Sequence, residues 1–283
     1  PEWEAAIIRE LQQLFDFQVV EWALLPPGLK AFAVKYVFKI KSKPSGEMDI
    51  LKARVTARGD LMKRWVHWFE KVTCVVMFET ILILMAKIAY HDLDCKTLDV
   101  KGAFLHADVE KEARGKIFLK PPQGMVVPKG YNVLKQKKQL YGSPAGARAW
   151  MLHAISILTK MGYQPTLDDA CLLTRCENKE QKQYSFVALY VDDMLLISPP
   201  QYTNKLVEEM KHNFPIGSAE ELSCFLGMKI SRNRKKRTLS INMAKYIDDL
   251  LARYNYDDIK LRLIPASPSI KPSVEDQPLD ERS

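Results

Sequence analysis

The segment Tyr190-Val191-Asp192-Asp193 sets two adjacent carboxylates between the apolar runs Phe186–Val191 and Met194–Ile197. Both runs have the length and composition of buried strands. Leaving unpaired carboxylates inside such a layer is costly, so they need a compensating partner. Neighbouring side chains on a regular strand point to opposite faces, so both aspartates approach one point only at a turn. The simplest geometry is a β-hairpin with the pair at or beside its tip. Carboxylate oxygens held there are hard ligands, suited to Mg²⁺ or Mn²⁺. The same residues also suit an ordinary solvated turn, because Asp is a favoured turn residue. Asp99, in the short strand expected over Leu98–Leu105, is the partner that metal binding requires. It meets the hairpin only if the two strands are neighbours in one sheet. Three converging carboxylates would repel and raise one another's pKa. Two divalent ions bridging them would remove that penalty and could clamp the attacking and leaving oxygens of a phosphoryl transfer.

The elements that must position these residues can be read along the chain. Trp3, Ala6, Ile7, Leu11, Leu14 and Phe15 form a helical stripe. After a turn at Pro26-Pro27-Gly28 comes a strand through Val34–Lys41, a loop at Pro44-Ser45-Gly46 and a return strand over residues 50–59. Lys39, Lys41 and Lys43 alternate on one face, and Lys52 and Arg54 share a face of the return strand. Helices are expected over Phe78–Tyr90, Ala147–Met161, Thr203–Phe214 (Thr203 as N-cap) and Tyr246–Tyr254. Further strands are expected at Ile117–Leu119, Ala170–Thr174 and Ser185–Val191. Val133–Leu140 is a second basic stretch, with Lys135, Lys137 and Lys138. A hairpin of Phe225–Ser231 and Thr238–Ile241 is tipped by Arg232-Asn233-Arg234-Lys235-Lys236-Arg237, and the proline-rich residues 265–283 are expected to be loose.

Composition narrows the class. The chain has 283 residues, 47% of them hydrophobic, which suffices for a substantial core. A net charge of +8 favours a polyanionic partner such as nucleic acid. Cys74, Cys95, Cys171, Cys176 and Cys224 lack zinc-site spacing and read as reduced thiols of an intracellular protein. The longest apolar stretch, Cys74–Tyr90, is interrupted by Glu79, Thr80 and Lys87, so no membrane span is expected. With no initiating Met and no signal peptide, the chain is expected to be a piece of something longer.

Taken together, the blocks resemble the reverse transcriptases of copia-type long-terminal-repeat retrotransposons. In family order they are Glu2-Trp3 with its helix; Lys35-Tyr36-Val37-Phe38-Lys39-Ile40-Lys41; Lys52-Ala53-Arg54; Leu98-Asp99-Val100-Lys101-Gly102-Ala103-Phe104-Leu105; Pro121-Pro122; Leu140-Tyr141-Gly142; Arg148-Ala149-Trp150; Tyr190-Val191-Asp192-Asp193-Met194; and Phe225-Leu226-Gly227. The resemblance covers about residues 2–265. It implies an α+β, right-hand polymerase fold and places fingers over 1–95 and the first catalytic palm strand over 96–110. A connection over 111–141, palm over 142–230 and a partial thumb over 231–264 would follow.

By the same resemblance, Asp99 and Asp192, assisted by Asp193, would hold two Mg²⁺ or Mn²⁺ ions for template-directed polymerisation of dNTPs on RNA or DNA. Lys41, Lys52, Arg54, Ala103 and Phe104 would line the dNTP site, with Phe104 excluding a 2′-hydroxyl. Strict alternation puts Asp99 and Phe104 on opposite faces, so the chain must bend between them, and Gly102 permits that. Arg148, the primer-gripping Phe225, Leu226 and Gly227, and the tip residues Arg232, Arg234, Lys235, Lys236 and Arg237 would face template-primer. The implied setting is cytoplasmic, including virus-like particles, alongside integrase and ribonuclease H parts of a parent polyprotein. No membrane partner is implied.

Two segments depart from the family. Ser143-Pro144-Ala145-Gly146-Ala147 replaces its usual Leu-Lys-Gln-Ala-Pro, and residues 60–73 match poorly. A catalytically decayed, nucleic-acid-binding relic of the same fold is therefore the alternative. A palm-fold nucleotide cyclase also uses strand carboxylates and two metals, but has no use for basic fingers strands or a primer grip.

Overall fold

The computed structural model describes residues 2–42 and 48–256. The loop Pro44-Ser45-Gly46, Lys43, the side chain of Lys41 and residues 265–283 lie outside what is described. The chain divides into two compact units, Pro1–Ser223 with Ile230–Ser240, and Cys224–Lys229 with Ile241–Ser283.

The first unit opens with helix α1 (Glu2–Asp16), which buries Ala6, Glu10 and Leu14 at four-residue spacing. Strands β1 (Val20–Ala23) and β2 (Ala31–Phe32) follow, then the long hairpin β3 (Val34–Ser42) and β4 (Met48–Ala57). β3 and β4 pair antiparallel, Tyr36 opposite Val55 and Val37 opposite Arg54. Helix α2 (Phe78–His91) leads through a left-handed Asp92 into β5 (Asp94–Val100). Short strands β6 (Phe118–Leu119) and β7 (Val133–Gln136) join β1 and β2 in a four-stranded sheet of order β1-β7-β6-β2. Leu14, Val20, Val55, Leu105, Leu119 and Leu140 belong to one core shared by this sheet, α1 and β4.

Helix α3 (Gly146–Lys160) precedes β8 (Gln164–Pro165), β9 (Leu172–Asn178), β10 (Gln183–Tyr190) and β11 (Asp193–Ser198). Helix α4 (Pro200–Asn213) and β12 (Ile216–Glu221) complete a six-stranded sheet of order β12-β5-β11-β10-β9-β8. Met194, Leu195, Leu196 and Ile197 are all fully buried, so both faces of β11 are covered. Burying each such side chain is worth about 1.5–3 kcal/mol relative to leaving it exposed.

The expected and observed elements differ in places. The strand expected over Leu98–Leu105 ends at Val100, and Ala103–His106 is a 3₁₀ turn after a left-handed Gly102 (φ 62°). A Cβ at Gly102 would meet Gln13 Nε2 at 2.9 Å, so the bend is built on glycine. Thr203 is no N-cap. The helix starts at Pro200, whose fixed φ suits a first turn. Thr203 Oγ1 instead donates to Asp94 Oδ2 inside the fold. β12 was not expected at all, because Gly217-Ser218-Ala219-Glu220 carries no strand-like apolar run.

In the second unit, β13 (Cys224–Phe225) pairs with the start of β14 (Met228–Asn233), Phe225 opposite Met228. Leu226 (φ 50°) and Gly227 (φ 78°) are the two left-handed residues of a tight hairpin turn, not part of a continuous strand from Phe225 to Ser231. The rest of β14 and most of β15 (Thr238–Asn242) belong to the first unit, and helix α5 (Ala244–Arg253) to the second.

Candidate active site

β10 and β11 form the expected aspartate hairpin, with Tyr190 opposite Asp193 and only Val191 and Asp192 between them. Val191 has φ 53°. A β-branched residue there is strained, of order 1–3 kcal/mol, and persists only where its surroundings hold it. The buried Trp150 of α3 supplies that hold, its Nε1 donating to the Val191 carbonyl at 2.7 Å. The Arg148-Ala149-Trp150 block thus positions the turn that carries Asp192.

β5 is the neighbour of β11, and Asp99 stands directly opposite Asp193. Directly opposed residues project from the same sheet face, where like charges repel. Asp99 and Asp192 both line a cleft of about 260 Å³, together with Lys52 and Arg54 of β4, Lys101, Tyr141, and Glu10 and Gln13 of α1. Burial, then the Asp99 charge, pushes the Asp193 carboxyl above its ordinary value. Asp192 is raised first by burial, with Arg54 opposing and Asp193 and Asp99 adding to it.

Two buried polar atoms in this cleft have no hydrogen-bond partner, Asp192 Oδ1 and Arg54 Nε. A bare carboxylate oxygen fits a hard cation, and a bare guanidinium N–H fits an anion such as a phosphate. Among the described residues no three His, Cys, Asp or Glu side chains close into a ready metal cage.

β4 is fixed in place from two sides. Ala57 N donates to the Tyr141 carbonyl at 2.8 Å, and a Cβ at Gly142 (φ 81°) would meet Ala57 O at 2.4 Å. Only glycine permits this approach, which accounts for the Tyr-Gly pair. The Arg54 guanidinium carbon lies 4.9 Å from the Tyr141 ring centroid. Burial, then the Asp192 charge, pushes the Tyr141 hydroxyl up to about 12, so it stays protonated. On the other side, Val55 N donates to Glu10 Oε1 at 3.0 Å.

Burial pushes the Glu10 carboxyl above its ordinary value, outweighing the Val55 N–H and the Lys52 and Arg54 charges. A carboxyl raised in the folded state destabilises the fold above its folded pKa, and that penalty fades as pH falls through it. Glu10→Gln keeps an acceptor for Val55 without the charge. It is expected to melt higher than wild type at pH 7, with the advantage shrinking as pH is lowered towards 4.5. Melting curves of both proteins across that range check this, and a pH-independent difference would exclude it.

Several expected contacts are arranged differently. Phe104 follows the Gly102 bend, but its ring rests against Tyr141 at 5.4 Å, and it is Tyr141 that lines the cleft. Ala103 is fully buried. Arg148 is engaged by Val72 O (3.3 Å) and Glu70 (2.6 Å). Arg232 and Arg234 are engaged within the protein. Arg232 donates to Leu93 O and Ile88 O and pairs with Asp92, while Arg234 pairs with Asp92 and Asp94. Arg237 donates to Tyr90 O. These guanidinium groups gather where helix α2 ends, at the negative end of its dipole. Lys235 and Lys236 are exposed. In the second basic stretch, Lys135 and Lys137 pair with Glu21.

A family model described as reverse transcriptase (RNA-dependent DNA polymerase) matches residues 17–268. The chain belongs to the reverse transcriptase family. It is 31% identical over 266 residues to the retrovirus-related Pol polyprotein from transposon TNT 1-94 of Nicotiana tabacum, covering 93% of this chain and 19% of that protein. A second relative, the Pol polyprotein from transposon RE1 of Arabidopsis thaliana, is 27% identical, covering 89% and 17%. The chain thus spans about a fifth of the length of these relatives. Among solved structures, a foamy viral protease-reverse transcriptase in complex with double-stranded DNA matches with a TM-score of 0.50. Identity is 10%, covering 91% of this chain and 37% of that one. This bears out the α+β polymerase fold, and membership of the family sets the cyclase alternative aside. Among the described residues no helix is long and apolar enough to cross a membrane.

Glu10, Gln13, Lys101 and Tyr141 line the cleft without having been assigned to it from sequence. For Glu10 a signal existed, a carboxylate on the buried stripe Ala6, Glu10, Leu14.

Proposed function

We propose that this chain is the polymerase portion of a copia-type Pol polyprotein, extending a primer with dNTPs on an RNA or DNA template. The observation that carries the reading is the cross-strand pair Asp99 and Asp193 with Asp192 at the adjoining turn, Asp99 and Asp192 sharing one cleft with Arg54. Asp99 and Asp192, with Asp193 beside them, would hold divalent cations, and these would supply Lewis-acid stabilisation of charge on the reacting phosphate oxygens. The chain's own contribution is positioning. Arg54 and Lys52 bind and orient the triphosphate, and Trp150 holds the turn that aims Asp192. Tyr141, backed by the Phe104 ring, walls the sugar side. On this reading residues 1–95 act as fingers, 96–110 and 142–230 as palm and 231–264 as part of a thumb. Integrase and ribonuclease H would be companions in the parent polyprotein, in the cytoplasm or in virus-like particles. Lys235, Lys236 and the Phe225-Leu226-Gly227 turn are proposed to meet the template-primer.

Primer extension on an RNA template, with Mg²⁺ and then Mn²⁺, tests the proposal. Extension is expected. Template-primer binding without extension under either ion would make the chain a decayed relic, which the replaced segment Ser143–Ala147 and the engaged Arg148 favour. In the same assay Phe104→Ala is expected to raise the ribo- to deoxyribonucleotide ratio of kcat/KM about tenfold to hundredfold. That corresponds to relief of an overpacking term of about 1–3 kcal/mol. An unchanged ratio with a lowered Tm would leave Phe104 as support for Tyr141 only.

A further inference from the structure

Behind the aspartate hairpin lies a second chemical feature, which the polymerase reading does not use. Cys74 and Cys171 place their Sγ atoms 3.2 Å apart, the Cys171 thiol donating to Cys74. Met151 Sδ lies 3.1 Å from Cys74 Sγ and closes one side with a third sulfur. The two cysteines differ in access. Cys74 is exposed, and Cys171 is buried. Burial, followed by the contact with Cys74, raises the Cys171 thiol.

The backbones that carry the pair are locked together by bonds independent of the sulfurs. Asp169 accepts from Cys171 N through Oδ1 (2.9 Å) and from Met77 N through Oδ2 (2.8 Å). Leu189 donates to Cys171 O (2.8 Å), and its own carbonyl accepts from Val76 N (2.9 Å). Segment 74–77 and the entry to β9 are therefore held in one register. A disulfide needs the sulfurs to approach to about 2.05 Å, a further shift of roughly an ångström.

We propose that Cys74 and Cys171 form a thiol–disulfide exchange site whose reactant is a low-molecular-weight disulfide. Cys74, the accessible thiol, attacks as its thiolate on one sulfur of a molecule such as oxidised glutathione. The small S–S bond breaks, one glutathione thiolate leaves and takes up the proton that Cys74 lost, and a mixed disulfide remains on Cys74. The Cys171 sulfur then attacks the Cys74 sulfur, and the second glutathione leaves as its thiol with the Cys171 proton. Two protein thiols lose two electrons, and one small disulfide is reduced to two thiols. The division of roles follows from access, because the exposed thiol meets the reagent and the buried one resolves it. The bridge ties the segment before α2 to the entry of β9, whose neighbour β10 runs into Val191 and Asp192.

The test is incubation of the full chain with oxidised glutathione, capping of free thiols and peptide mapping without reduction. A linked Cys74–Cys171 peptide is expected, with a reductant-reversible Tm rise of at least about 4 °C from closing so long a loop. Cys171→Ser is expected to stop at a glutathione adduct on Cys74, and Cys74→Ser to leave Cys171 unmodified. A stable adduct on wild-type Cys74 with no bridge, or bridging spread equally over Cys176 and Cys224, overturns the proposal. Should either variant fail to fold, alkylation of native wild type decides. Cys74 labelling well before Cys171, with bridging then blocked, supports it, and equal labelling rates overturn it.

Discussion

Asp192→Asn is expected to lower primer extension about a thousandfold while leaving template-primer affinity within about twofold. The magnitude follows from losing roughly 4 kcal/mol of metal-dependent charge stabilisation, at 1.36 kcal/mol per factor of ten. Asn is close in shape, so the turn survives. It also removes a carboxylate that burial and two neighbouring aspartates disfavour, so the metal-free variant should melt no lower than wild type. Single-turnover extension, a binding isotherm and a melting curve check the three statements. Parallel loss of binding and extension would mean misfolding. Extension within tenfold of wild type would remove Asp192 from the chemistry.

Arg54→Ala should cost about tenfold to hundredfold in kcat/KM for the incoming dNTP, carried mainly by KM. A hydrogen bond to a charged group is worth about 1.5–3 kcal/mol, and Arg54 Nε has no partner inside the protein. Arg54→Lys should recover only part, because an ammonium cannot grip two phosphate oxygens as a planar fork does. Steady-state kinetics at saturating template-primer separates this effect from template binding. A change below threefold in both variants would mean that the triphosphate binds elsewhere.

The carboxylates were the most legible part of the sequence. Asp192-Asp193 between two apolar runs demanded a hairpin, and Asp99 demanded a neighbouring strand, and the register Asp99–Asp193 meets both demands. Gly102 was readable for the same reason, since alternation alone could not bring Phe104 round. Contacts set by tertiary packing were not readable. A run of five cations near one tip looks like a phosphate site in one dimension. Nothing local announces that Asp92, Asp94 and the last carbonyls of α2, about 140 residues away, engage its arginines. Tyr141 reaches the cleft because Gly142 packs on Ala57, and Trp150 matters through one carbonyl. Strand β12 has the composition of a loop and owes its strand geometry to pairing with β5.

That pairing has a consequence for how the protein is made. Both neighbours of β5, β11 and β12, are encoded well downstream of it, Asp99 and Asp193 being about a hundred residues apart. A chain emerging from the ribosome at about 5–20 residues per second leaves β5 with two bare edges for roughly 5–20 s. Bare edges are templates for other chains, and charge is the usual protection. β5 reads Asp-Cys-Lys-Thr-Leu-Asp-Val, and its charges at Asp94, Lys96 and Asp99 interrupt what would otherwise be a sticky strand. Before the sheet closes, then, the charge of Asp99 is one that protects a bare edge, so neutralising it is expected to raise aggregation during synthesis apart from any effect at the candidate site.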